Sequence, residues 1–360
     1  MTRQGQPDQV PRETRSTEFM AVSHGPLPAL ARRIRNALLF LVPTLAITVV
    51  LTVRGSGARA TWNSLVWPAV LGLVALTGIK WVVDTSRFRD IVRVCGGGVS
   101  FWRGFEIFLA SIFGSNITPL YVGGIATQAY FLSRFELGVG RSVAIGSIYV
   151  LLNLVVNALF SLAILASPSP LMAAGRSSVL ARMALVVFLV TVGVVLAVRF
   201  RAGVEHAVRR VLRTHPAAVE RVISGLDDFY DGFRLFSKSG PVLAVRVFLL
   251  SLLSQVLSLI YAPLAFRALG MTDTPAWQLL LTQAGVQFTN GIGVTPGGMG
   301  IIEGVFALFF GPFAQEQTAA VTLVWRVWTY YIPSIIGAIF FFVLLRRQPT
   351  NAPSGEQQRV

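Results

Sequence analysis

Asn290-Gly-Ile-Gly-Val-Thr-Pro-Gly-Gly-Met-Gly-Ile-Ile-Glu303 lies between two apolar runs, yet it holds five glycines, a proline and a carboxylic acid. That composition breaks a helix and carries a group that lipid does not solvate. Irregular backbone at membrane depth persists only where it packs inside protein or lines a wet cavity. An acid there marks a functional site that needs a partner. The signature also occurs earlier in the chain. A shift of 177 positions lays Gly114, Thr118, Pro119, Gly123 and Ile125 onto Gly291, Thr295, Pro296, Gly300 and Ile302. Five identities in twelve positions, a Thr-Pro pair among them, mark an internal repeat.

The surrounding composition fixes the solvent. Of 360 residues 54% are hydrophobic and 13% charged, with mean hydropathy +0.65. Soluble domains carry about 25% charged residues, so this is an integral membrane protein. Runs of about 20 apolar residues indicate helices rather than a barrel. The fold class expected is therefore all-α and polytopic. Cys95 is the single cysteine, which excludes internal disulfides and cysteine-based zinc sites. The net charge of +15 does not point to nucleic acid, because no arginines and aromatics interleave in a nucleic-acid-binding pattern. Its source is the excess of Lys and Arg in cytoplasmic loops of membrane proteins.

Read in order, residues 1–36 form a disordered basic tail without the apolar core of a signal peptide. Six spans are expected, at Ala37–Val53, Leu65–Val83, Val143–Leu165, Val179–Val198, Val242–Leu264 and Ala319–Leu345. In the second, Lys80 is placed to snorkel to the near interface, and a basic loop with Arg87, Arg89, Arg93 and Arg103 follows. Residues 199–240 carry seven arginines, Lys238 and the acidic patch Asp227, Asp228 and Asp231, which predicts amphipathic helices on the membrane surface. A polar tail, 346–360, ends the chain. Four short apolar arms remain: Phe105–Phe113 and Ile125–Leu132 around the first break, Trp277–Thr289 and Ile301–Phe310 around the second. At about 1.5 Å per residue, none crosses a core of about 30 Å.

Charge sets the orientation. With both termini cytoplasmic and each broken pair returning to its own side, 23 of the 31 basic residues lie inside and four outside. Were the first pair a single crossing, the basic 199–238 stretch would fall outside. The two re-entrant hairpins thus enter from opposite faces. Span–hairpin–span occurs twice with opposite sense, about 65–165 and about 242–345, as an inverted-topology repeat. Such repeats place a substrate site near the midplane and support alternating access.

The candidate chemistry gathers at the breaks. Glu303 falls in the first turn of a helical arm, where the helix dipole favours a carboxylate, and a cap or structural ion pair is the plain alternative. Arg326 lies about 12 Å into a span at 1.5 Å per residue, and an unpaired arginine there is costly. The expectation is a Glu303–Arg326 pair or an Arg326–lipid phosphate contact. Gly297, Gly298 and Gly300, with Thr295, Pro296 and Asn290, have the makings of a backbone nest for an anion. Asn116, Thr118, Pro119, Gly123 and Gly124 carry the same argument on the other face. Close packing of hairpin arms is the competing explanation for these glycines. Tyr330, Tyr331 and Trp328 are expected to pack or to sit near an interface rather than bind ligand. No catalytic constellation, metal set or nucleotide loop appears at membrane depth, so no enzyme activity, metal or cofactor is expected. A glycosyltransferase-like role for Asp227, Asp228 and Asp231 is weaker than a solvated helix face.

Thr295-Pro-Gly-Gly-Met-Gly-Ile-Ile-Glu303, Asn116-Ile-Thr-Pro119 and the Arg326 helix resemble the flippase-like transmembrane domain of lysylphosphatidylglycerol synthases, over about residues 30–345. The resemblance implies movement of a phospholipid or lipid-linked molecule between leaflets of a cytoplasmic membrane, with membrane lipids as partners. Lysyl transfer is not expected, because about fifteen polar residues follow the last span where the synthases carry a soluble domain. Relatives with an acidic residue in the first motif differ from this chain, which has Gly124 there. The alternatives are a membrane-embedded transferase or accessory subunit of a lipid or glycan pathway, and a small-solute secondary transporter.

Overall fold

Trp67 opens a helix that does not stop where the apolar run stops. The computed structural model describes residues 65–347, apart from 136, 167–184, scattered positions between 186 and 199, 212–215 and 288–294. The described residues fall within one compact unit, Thr48–Val360. The expected span Ala37–Val53, most of Val179–Val198, both tails and Asn290 lie outside them. Among the described residues every regular element is helical.

Helix α1 (Trp67–Val94) starts with proline in its first turn, where the missing N–H is not needed. Its length corrects the expectation of a span ending at Val83 and a basic loop after it. Arg87, Arg89 and Arg93 lie on the helix, and Arg87 is fully buried. The physical reason is pairing. Asp84 meets Lys80 and Arg87 at helical spacing, and Asp90 meets Arg246 at 2.9 Å, so the charged end continues as helix against its neighbours. Lys80 does not snorkel. It donates to Asp84 Oδ2 at 2.7 Å and to Ser254 Oγ at 2.9 Å.

Helix α2 (Phe101–Asn116) is capped by Ser100, whose Oγ accepts from the Arg103 N–H at 3.3 Å. A 3-10 turn, Pro119–Tyr121, leads into α3 (Val122–Phe135). The two helices lie antiparallel: Gln128 Nε2 donates to Ser111 Oγ at 3.1 Å, while Gly114 and Gly123 meet backbone to backbone. Arms of 16 and 14 residues span about 24 and 21 Å at 1.5 Å per residue. Helix α4 (Val139–Ala166) follows, then α5 (Arg201–Val211) and α6 (Pro216–Lys238). Helix α6 docks on α4 where Gly140 faces Gly225 and Asp228, and Gly232 faces Ala144. Part of its acidic face is therefore against protein rather than wholly solvated.

The second half runs α7 (Pro241–Leu259), α8 (Tyr261–Ala268), α9 (Ala276–Gln287), a 3-10 turn at Pro296–Gly298 and α10 (Ile301–Ala314). The chain reverses at Gln315, in left-handed backbone with φ 47°. Helix α11 (Thr318–Arg326) then passes through one wide π turn, Val327–Tyr331, into α12 (Ile332–Arg346). The 177-residue shift lays α1 over α7–α8, the turn Pro119–Tyr121 over Pro296–Gly298, and α4 over α11–α12.

Among the described residues four stretches are long and apolar enough to cross a bilayer: Trp67–Val94, Val139–Phe160, Pro241–Ala268 and Pro296–Arg346. The chain is a polytopic helical membrane protein, and these stretches contain or overlap four of the expected spans. The core is aromatic. Phe306 stacks on Phe310 at 4.3 Å and on Trp325 at 4.5 Å. Phe341 of α12 meets Phe113 and Phe131 at 5.5 Å each, where Gly337 lets α12 approach the α2 backbone.

Candidate functional site

The two breaks meet. Tyr121 ends the first 3-10 turn with φ 58°, and Gly298 ends the second with φ 65°, positions related by the same 177-residue shift. The Tyr121 hydroxyl lies 2.9 Å from where a β-carbon on Gly298 would stand. Glycine adopts this left-handed backbone freely, whereas tyrosine pays for it, and such outliers cluster at functional sites. Tyr330 fills the space beside the other left-handed glycine, Gly297. Its hydroxyl donates to the Asn116 carbonyl at 3.3 Å, and Asn116 Nδ2 donates to Ser334 Oγ at 2.7 Å. The π turn and the head of α12 thus tie the end of α2 to the second break.

Glu303 and Arg326 sit at this junction. Arg326 Nε lies 2.8 Å from Glu303 Oε1, with side chains 4% and 19% exposed. The other carboxylate oxygen, Oε2, accepts from the Gly300 N–H at 2.8 Å. Glu303 is therefore both helix cap and ion-pair partner, which joins the two expectations in one side chain. Arg326 lies over two aromatic rings, with the Tyr330 centroid 5.1 Å and the Trp325 centroid 5.4 Å from the guanidinium carbon. The ion pair is close, but the Nε–H is not aimed along it. Among the described residues neither Nε nor Nη2 of Arg326 has a hydrogen-bond acceptor, although both are buried. A buried guanidinium donor without an acceptor is costly.

The other named residues divide. Thr295 Oγ1 donates to the Met299 carbonyl at 2.9 Å, which closes the turn after Pro296. Thr118 Oγ1 donates to the Gly114 carbonyl at 3.0 Å and accepts from the Gly123 N–H at 2.8 Å, which closes the turn around Pro119. Gly123 and Gly124 serve close packing: a β-carbon at Gly123 would strike the Gly114 carbonyl, and one at Gly124 the Ser115 hydroxyl. Gly300 is exposed and has no neighbour within 4 Å of a β-carbon position. Glu303, Arg326, Gly297, Gly298 and Asn116 share one junction. Sequence reasoning missed Tyr121 and gave Tyr330 only a packing role. The 177-residue shift was the available signal for Tyr121, since it sets a tyrosine opposite Gly298.

A second polar cluster, also missed, joins α1, α4 and α7. Asp84 Oδ1 accepts from Ser254 Oγ at 2.6 Å and from the Tyr149 hydroxyl at 3.2 Å, with Arg87 Nη2 3.4 Å away. Arg87 donates through Nη1 to Asn153 Oδ1 at 2.7 Å and lies 3.7 Å over the Tyr149 ring. Gln255 Nε2 donates to Asn157 Oδ1, and the Tyr261 hydroxyl to Thr77 Oγ1 at 3.1 Å.

A family model described as the lysylphosphatidylglycerol synthase TM region matches residues 36–337. Among curated proteins, a UPF0104 membrane protein of Methanocaldococcus jannaschii is 23% identical over 283 residues, which cover 74% of this chain and 81% of that one. Another, from Methanothermobacter thermautotrophicus, is 26% identical over 290 residues, covering 73% and 80%. No solved structure matches the chain.

Proposed function

We propose that this chain, which belongs to the family of the lysylphosphatidylglycerol synthase transmembrane region, moves a phospholipid or lipid-linked molecule between leaflets without chemically altering it. The observation that carries this reading is the buried Arg326, paired with Glu303 yet with two N–H donors that have no acceptor among the described residues, at the junction of the two breaks. A lipid phosphate diester presents oxygens that accept from such donors. In the proposed cycle the phosphate displaces the Glu303 carboxylate from Arg326, while the Gly300 N–H keeps Glu303 in place to reclaim the arginine on release. Trp325 and Tyr330 hold the guanidinium plane throughout.

The short antiparallel arms α2–α3 support a re-entrant hairpin, and the matched turns support the inverted repeat whose halves exchange access. The distribution of arginine supports a cytoplasmic membrane with both termini inside. The test is exchange of fluorescent phosphatidylglycerol and phosphatidylcholine between leaflets of proteoliposomes. Wild-type protein is expected to speed exchange of at least one, and Glu303→Gln to slow it about tenfold, the effect of ~1.4 kcal/mol on a barrier. Equal exchange by wild type, Glu303→Gln and Arg326→Gln would sink the proposed cycle.

A further inference from the structure

Lys80 stands halfway along α1, about 20 Å from either end at 1.5 Å per residue. It belongs to a stretch long and apolar enough to cross a bilayer, Trp67–Val94, where an unpaired charge is costly. Its side chain is nonetheless 22% exposed. The residues beside it face outward and are apolar: Ile79 and Val82 on α1, Leu253 and Val256 on α7. Lys80 thus opens onto the seam between these helices. Behind it the charges do not balance. Lys80 and Arg87 are two cations, and among the described residues the ion pairs of both are with Asp84 alone. Asp90 does not make up the deficit, because it pairs with Arg246. The cluster carries one surplus positive charge, and Arg87 Nε is buried without a hydrogen-bond acceptor among the described residues.

A surplus positive charge at a helix seam draws a counter-ion. We propose that the Lys80–Asp84–Arg87 cluster at the α1–α7 seam is a second anion site, which takes a phosphate group from a lipid headgroup or from free phosphate. Lys80 supplies the exposed charge, the buried Arg87 adds positive potential behind it, and Ser254 and Tyr149 hold Asp84 so that the carboxylate does not swing into the entering anion. The cluster shares no residue with the Glu303–Arg326 junction. The lipid-headgroup source rests on the transport reading above; the anion site does not.

Lys80 and Lys238 are the two lysines of the chain, which gives a local readout. Purified full-length protein in neutral detergent is acetylated with a membrane-permeant amine reagent. Modification of Lys80 relative to Lys238 is followed by mass spectrometry with dioctanoyl phosphatidylglycerol, dioctanoylglycerol or inorganic phosphate present. The expected result is about tenfold slower acetylation of Lys80 with the phospholipid and no slowing with dioctanoylglycerol. Protection by inorganic phosphate as well identifies a site open to free anions; protection by the phospholipid alone identifies the headgroup as the source. Equal rates under all conditions, or equal protection by dioctanoylglycerol, overturn the proposal. Asp84→Asn, which raises the surplus to two charges, is expected to deepen protection severalfold, an effect that a purely structural carboxylate would not give. Glu303→Gln is expected to leave it intact. Protection without leaflet exchange would remove the transport reading and keep this site, whereas exchange without protection would do the reverse.

Discussion

Removing either partner of the Glu303–Arg326 pair leaves the other charge at a buried junction. Unpairing a buried charge costs about 3–5 kcal/mol, and Glu303→Gln falls in that range because the charge it leaves unpaired, Arg326, is 4% exposed. Arg326→Met is expected to cost less than Glu303→Gln, since it removes the more deeply buried charge and leaves the carboxylate with the Gly300 N–H. Denaturant unfolding in detergent checks the order, and the double variant is expected to cost less than the two single losses together. Gly297 separates two other effects. Gly297→Ala meets both left-handed backbone and the Tyr330 ring, and is expected to destabilise by about 1–3 kcal/mol. In a Tyr330→Ala background the steric part of that penalty is expected to vanish, while the backbone part, about 1 kcal/mol, persists. A thermal-shift series over the four proteins measures both.

At the scale of elements, α6 tests how far the surface segment belongs to the bundle. Gly232→Leu would push against Ala144 of α4, and is expected to raise the rate of trypsin cleavage at Arg234 and Lys238 severalfold without unfolding the rest. Buried Cys95, whose thiol burial pushes up to about 11, donates to the Gly232 carbonyl. It should become more reactive to a thiol reagent in the same variant. Which elements the sequence disclosed follows from how they declare themselves. Composition and long apolar runs mark the spans, and Thr-Pro followed by glycine within five residues marks both turns, because glycine and proline act locally. The Glu303–Arg326 pair was legible because one charge at depth requires another. The Asp84 cluster was not: Arg87 read as part of a basic loop, and only the fold brings Ser254 and Tyr149 to Asp84 and Arg246 to Asp90. Gly123 and Gly124 were ambiguous for the same reason, since a nest and a tight contact call for the same residue.

For the whole molecule, the contact between α2 and the head of α12 joins segments 218 residues apart. Asn116→Cys with Ser334→Cys, in a Cys95→Ser background, places two thiols where a 2.7 Å hydrogen bond now stands. Oxidation is expected to link them and to stop leaflet exchange, with reductant restoring it. Exchange that continues through the linked protein would show that this junction does not open during transport. The matched turns carry one more consequence. Under the 177-residue shift Gly298 answers to Tyr121, Glu303 to Ala126 and Arg326 to Tyr149. Halves with like side chains would exchange roles between states of equal energy. Here one half stores a strained tyrosine and the other holds the Glu303–Arg326 pair, so in the proposed cycle that degeneracy would be lifted and the empty protein would favour one of the two states.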